Sequence, residues 1–122
     1  MEQLAPHRAL TYIVVKDLKD EFSFITESLQ HIEYLSEIGI SSHTCYIDQG
    51  QRGKGWDMLE KHLKDSKNEF GLVLVTSFDH LSKDVGWILL KQAELEEKYG
   101  ISIYSVRESQ LGVDQEKGLS FE

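Results

Sequence analysis

Gly71-Leu-Val-Leu-Val-Thr-Ser-Phe-Asp-His-Leu-Ser-Lys-Asp84 is an apolar run that ends in an acid and then turns polar. A parallel strand buried on both faces is written this way, with Asp79 delivered just past its carboxyl end. Ser82 is placed to N-cap the helix that follows, with Asp84 in its first turn, where the helix dipole favours negative charge. Taken alone, Asp79 is a turn residue, a role Asp favours because its carboxylate bonds nearby backbone. Taken with a site around it, Asp79 is a carboxylate presented at a sheet edge.

Working outward, Leu72 to Thr76 is the third of four strands. Ala9 to Val15 is the first, apolar and β-branched enough to be central. Phe22, Ile25, Leu29, Ile32 and Leu35 recur at helical steps and are expected to form the inner face of a first helix, stopped by Gly39. His43 to Ile47 is the second strand, and Asp48 to Gly55 a glycine-rich loop. Trp56, Leu59 and Leu63 mark the inner face of a second helix ending near Asn68; Val85, Ile88, Leu89 and Ala93 mark that of a third, closed by Lys98 and Gly100. Ile101 to Val106 is the fourth strand. Residues 1–8 form a leader, 9–108 the core domain, and 109–122 a tail with Leu119 and Phe121 as isolated apolar residues.

Strands alternating with helices predict an α/β fold: a mainly parallel sheet of four to five strands with helices on both faces. Sites in such sheets lie outside the carboxyl ends of the strands. Lys16 and Asp17, Asp48, Asp79 and His80 fall there. No Walker A loop or dinucleotide glycine fingerprint is present.

Composition narrows the function. The chain has 122 residues, 40% hydrophobic and 28% charged, as expected of one globular domain. Its net charge is −8, with 13 basic against 21 acidic residues and no basic stripe. Gripping duplex DNA requires neutralising several phosphates, so weak or no autonomous DNA binding is expected. No apolar run is long enough for a membrane span, and Met1 to Arg8 lacks a signal-peptide layout, which points to the cytoplasm. Cys45 is the lone cysteine, excluding an internal disulfide and a thiolate metal cage. The five histidines show no metal-ligand spacing, so neither a metal nor a cofactor is expected.

Three blocks together resemble the catalytic domain of the serine recombinases, the resolvases and DNA invertases. They are Tyr46-Ile-Asp-Gln-Gly50, Phe78-Asp-His-Leu-Ser-Lys-Asp84 and Leu95-Glu-Glu-Lys-Tyr-Gly-Ile-Ser-Ile-Tyr-Ser-Val106. The resemblance runs from about Ala9 to Phe121 and implies the same resolvase-like fold. It also implies a chemistry. A serine near the end of the first strand attacks a DNA phosphate, and arginines neutralise the developing charge.

Against that pattern the site is degenerate. The family's tyrosine-any-arginine-valine-serine motif reads Tyr12-Ile-Val-Val-Lys16, so Val14 replaces the arginine and Lys16 the serine. The aspartate-arginine-leucine-small-arginine motif reads Asp79-His-Leu-Ser-Lys83; only Asp79 is retained among its charged positions, with His80 and Lys83 replacing the arginines. His31 aligns with the family's helix glutamine and Gly53 with its loop arginine, Arg52 lying one position away. Ser23 and Ser28 are the remaining candidate hydroxyls on the first helix. Gly118-Leu-Ser-Phe121 resembles the approach to the family's long dimer helix and DNA-binding region, which are expected to be absent unless the chain is a fragment.

The expectation is a catalytically inactive recombinase-like domain that acts through another protein, a related recombinase or a regulator. Trp56, Trp87, Arg52 and Lys54 are the candidate contact residues, with core packing the preferred reading of Trp56 and part-buried packing that of Trp87. The first alternative is the N-terminal fragment of a DNA-cleaving recombinase with an atypical site. The second is a Mg²⁺-dependent phosphodiesterase using Asp48 and Asp79.

Overall fold

The computed structural model describes residues 8–17, 19–66 and 69–110. The strands are β1 (Arg8–Val15), β2 (Ser42–Gln49), β3 (Leu72–Val75), β4 (Ser102–Ser105) and β5 (Ser109–Gln110). The helices are α1 (Glu21–Glu37), α2 (Lys54–Asp65) and α3 (Val85–Tyr99). One five-stranded sheet runs in the order β2-β1-β3-β4-β5, parallel except for β5, which pairs antiparallel with β4. The expected α/β architecture, a mainly parallel sheet with helices on both faces, is present.

Burial explains the order. Leu72-Val-Leu-Val75 is buried at every residue and lies between β1 and β4. The β1 strand is nearly as buried and sits between β2 and β3. The β2 strand is part-polar and half-exposed, and lies at the edge.

Side chains alternate across the sheet. Leu10, Tyr12, Val73, Val75 and Ile103 pack with Trp56, Leu59 and Leu63 of α2 and with Ile88 and Leu95 of α3. Ala9, Leu72 and Leu74 pack on the opposite side with Leu35 of α1. The major core is built around Trp56, whose ring meets Tyr12 edge-on at 5.2 Å and Trp87 at 6.5 Å. Gly39 and Gly100 take left-handed φ angles of 84° and 68° just past α1 and α3, as their roles as helix stops require.

Several local expectations are corrected. The first strand starts at Arg8, whose guanidinium is held by Glu69 at 2.9 Å, so the leader's last residue belongs to the sheet. Residues 1–7, Asn68 and the tail from 111 to 122, with Leu119 and Phe121, lie outside the described residues. Asp84, not Ser82, is the N-cap of α3: its carboxylate accepts from Gly86 N at 2.9 Å, while Ser82 Oγ accepts from Asp84 N at 2.9 Å. A turn of 3-10 helix at Phe78–His80 takes up the chain first and displaces the helix start. Of the stripe on α1, only Leu35 is buried; Phe22, Ile25, Leu29 and Ile32 face outward and His31 faces the sheet. On α3 the buried face is Ile88 and Leu95, flanked by half-buried Trp87, and Val85, Leu89 and Ala93 are exposed. The bulky Trp87 ring, packed against Trp56, turns the helix away from the simple apolar stripe. No helix among the described residues is long and apolar enough to cross a membrane.

Candidate functional site

The chain passes from β1 out to β2, then returns across β1 to β3, so the strand order reverses between β1 and β3. Open parallel sheets form their ligand crevice at such a point, outside the carboxyl strand ends. A cleft of about 710 Å³ lies there, lined by Val14 and Lys16 from β1 and its exit, Gly50 to Arg52 after β2, and Asp79 to Lys83 after β3. Val14, Lys16, Asp79, His80 and Lys83, all singled out in the sequence, are thus brought to one place. Gly53 and His31 are not part of the lining.

Asp79 is carried by the 3-10 turn. Its Oδ1 accepts from Ser77 Oγ at 2.5 Å and its Oδ2 from Lys83 Nζ at 3.2 Å. The Ser77 hydroxyl, then Lys83, holds the carboxyl below the usual range, so it is ionised at neutral pH. Lys16, Arg52 and Lys83 line the same cleft, and of these Lys83 reaches the carboxylate. Ser82 supplies the one hydroxyl side chain of the described lining, and its oxygen accepts the Asp84 N–H. Ser23 and Ser28 do not line the cleft; Ser23 Oγ donates to Asp20 at 2.8 Å in the α1 cap.

Arg52 joins the cleft although its neighbour Gly53 is the aligned position. The guanidinium stacks on the Trp87 ring at 3.9 Å and donates to the Leu81 carbonyl, tying the glycine-rich loop to the turn after β3. Trp87 is thereby a half-buried platform between Arg52, Trp56 and Lys91, not an open anchor. Trp56 is 1% exposed and belongs to the core, which removes it from the contact residues. Lys54 is exposed at the first position of α2.

Asp48 proves to be a clamp. Its carboxylate accepts from Tyr12 OH at 2.6 Å, Gly53 N at 2.7 Å, Gly55 N at 2.8 Å and Trp56 N at 3.0 Å. Burial opposes its ionisation, but the Tyr12 hydroxyl and the three amides outweigh it and hold the carboxyl below the usual range. The same contact, after burial, raises the Tyr12 phenol. With these bonds in place the carboxylate serves the entry to α2, whose first amides have no partner within the helix. Gly55 is required there: a Cβ would overlap the Ile47 carbonyl and come within 3.0 Å of the Asp48 carboxyl carbon. Among the described residues no group of three His, Cys, Asp or Glu side chains could hold a metal ion.

His31 lies under the sheet, 1% exposed. Its Nε2 is 2.9 Å from Thr76 Oγ, which donates its only proton to Glu27 Oε1 at 2.8 Å. Thr76 therefore accepts from His31, which must carry its proton on Nε2. Burial, then His43 and His80, lowers the imidazole to a pKa of about 4. His80 also has a buried Nδ1 without a hydrogen-bond partner among the described residues. The Cys45 thiol is pushed up by burial, consistent with packing rather than nucleophilic use.

Glu108 carried no sequence signal. It accepts from Phe78 N at 3.0 Å and from Ser105 Oγ at 2.5 Å, linking the end of β4 to the Asp79 turn.

No protein-family model matches the chain, and no curated protein matches it. Among solved structures, it is similar to the crystal structure of a resolvase family site-specific recombinase from Streptococcus pneumoniae. The TM-score is 0.71 at 14% identity, over 93% of this chain and 81% of that one. The chain has a resolvase-like α/β fold.

Proposed function

We propose that this chain is a recombinase-related domain without DNA-cleavage chemistry that works by binding another protein, in a regulatory role. One observation carries the reading: where the resemblance expects a serine and an arginine at the end of β1, the cleft presents Lys16 and Val14. The one hydroxyl of the described lining, Ser82, follows β3 rather than β1 and accepts the Asp84 amide. An attacking hydroxyl needs a positioned base, and among the described residues no side chain accepts a hydrogen bond from it. The net charge of −8 further supports a protein partner over a duplex.

A second reading is supported by Arg52. The cleft is lined by Lys16, Arg52 and Lys83 together with Asp79, and a fragment of a DNA-cleaving enzyme with an atypical site would retain such a cationic rim. The Mg²⁺ phosphodiesterase reading loses its support, because hydrogen bonds within the chain occupy the Asp48 carboxylate.

The chain, immobilised and exposed to extract of its native cell, is expected to retain a recombinase or regulator that then binds it stoichiometrically when both are pure. Failure of every retained protein to bind after purification, together with DNA strand exchange by the chain alone, would overturn the proposal.

A further inference from the structure

Among the described residues, nothing covers the outward face of α1. Phe22, Ile25, Leu29 and Ile32 stand on it at three- and four-residue steps, 80%, 52%, 60% and 48% exposed. Single exposed apolar side chains are ordinary, but four in helical register make a continuous stripe about 15 Å long. A stripe of this spacing matches the helix-against-helix mode of recognition, in which apolar anchors recur at the same steps. It is not left over from core formation, since α1 already contacts the sheet through His31 and Leu35 on a different side.

Charge selects the occupant. The helix contains Glu21, Glu27, Glu33 and Glu37 and neither Lys nor Arg. Glu27 is turned inward to Thr76, while Glu21, Glu33 and Glu37 are exposed. Two copies meeting through this face would set acidic rows against each other, an arrangement that costs free energy and suppresses pairing. A helix with an apolar row bordered by Lys or Arg meets both features. We propose that the α1 stripe is the docking surface for a basic amphipathic helix of a different protein, an assignment that rests on the partner-binding reading above and gives it a location.

The test uses the full chain and labelled synthetic helices of about 20 residues, a length that can hold helical structure. One carries leucines at helical spacing with Lys flanks; one has the same leucines with Glu flanks; one is the Lys peptide scrambled. The Lys amphipathic peptide should bind measurably by fluorescence anisotropy, about tenfold or more tighter than either control, and Ile25→Ser with Leu29→Ser should weaken it about tenfold. Because both side chains are exposed, the double variant should keep its circular dichroism and urea midpoint, and Phe22→Ser should reproduce the loss if it does not. Absent binding, equal binding of the controls, or affinity unchanged in the variants overturns the assignment. So does a concentration-dependent dimer abolished by the same substitutions, which would give the face to a second copy. An affinity that rises when residues 111–122 are removed would give it to the chain's own tail. Failure here displaces the surface only; the partner-binding reading falls to the bait experiment and the DNA assay, which do not involve α1.

Discussion

Replacing Asp48 with Ala removes the acceptor for one buried phenol and three backbone amides at once. Tyr12 is 1% exposed, so its hydroxyl would lose its partner inside the protein, at about 1–3 kcal/mol. Loss of a capping side chain at a helix start costs about 1 kcal/mol more. Gly53 is exposed and its amide can turn to water, so it adds little. The sum is about 3 kcal/mol, a large share of the roughly 5–15 kcal/mol that holds a domain folded. Urea unfolding followed by the fluorescence of Trp56 and Trp87 reads it directly. At a slope of about 1–3 kcal/mol per molar, the midpoint should fall by about 1–3 M. Asp48→Asn should cost less, about 1–2 kcal/mol, because one carbonyl oxygen remains an acceptor while the amide nitrogen faces donors. Adding Tyr12→Phe to Asp48→Ala should cost less than the sum of the two, since the orphaned hydroxyl is gone. A change below about 0.5 kcal/mol for Asp48→Ala would refute the clamp and return Asp48 to the pool of site carboxylates.

Gly55→Ala should destabilise by about 2 kcal/mol, read as a lower melting temperature, because the new methyl meets backbone that cannot move aside. His31 is neutral when folded and takes up a proton more readily when unfolded, so its contribution is fully present above pH 6.5 and lost as pH falls towards about 4. That loss is as much as about 3 kcal/mol, and His31→Gln should flatten the stability profile across the same window. Arg52→Ala should redshift the tryptophan emission by uncovering Trp87 and cost about 1 kcal/mol, with unfolding curves and spectra as the measures.

The two central strands were legible because they are apolar at nearly every position. Leu72 to Val75 is buried throughout, and Ala9 to Val15 nearly so. The α2 face was legible because Trp56, Leu59 and Leu63 share one side and all reach the core. The faces of α1 and α3 were not, and for one reason. Periodicity shows that apolar residues share a side, but not which side the sheet covers. On α1 the covered side is narrow, contains His31 and Glu27, and reads as polar. The candidate site was legible in part. Lys16, Asp79, His80 and Lys83 converge because they follow adjacent strands. Arg52 enters the cleft through its stacking on Trp87, and Glu108 reaches the Asp79 turn from 30 residues away; both depend on tertiary contacts that no local pattern encodes. The role of Asp48 was not legible for a related cause. A carboxylate at a strand end can serve a ligand or a helix start, and only the amides of Gly53, Gly55 and Trp56 around it decide between them.

The proposed function rests on the absence of strand-cleavage chemistry. It is tested by incubating the purified chain with DNA carrying candidate crossover sites, quenching in detergent, and measuring the intact mass of the protein. An unchanged mass and uncut DNA are expected. A DNA-linked species that disappears on Ser82→Ala, Ser23→Ala or Ser28→Ala would contradict the proposal and make the chain a working nuclease-ligase with its nucleophile in a new place.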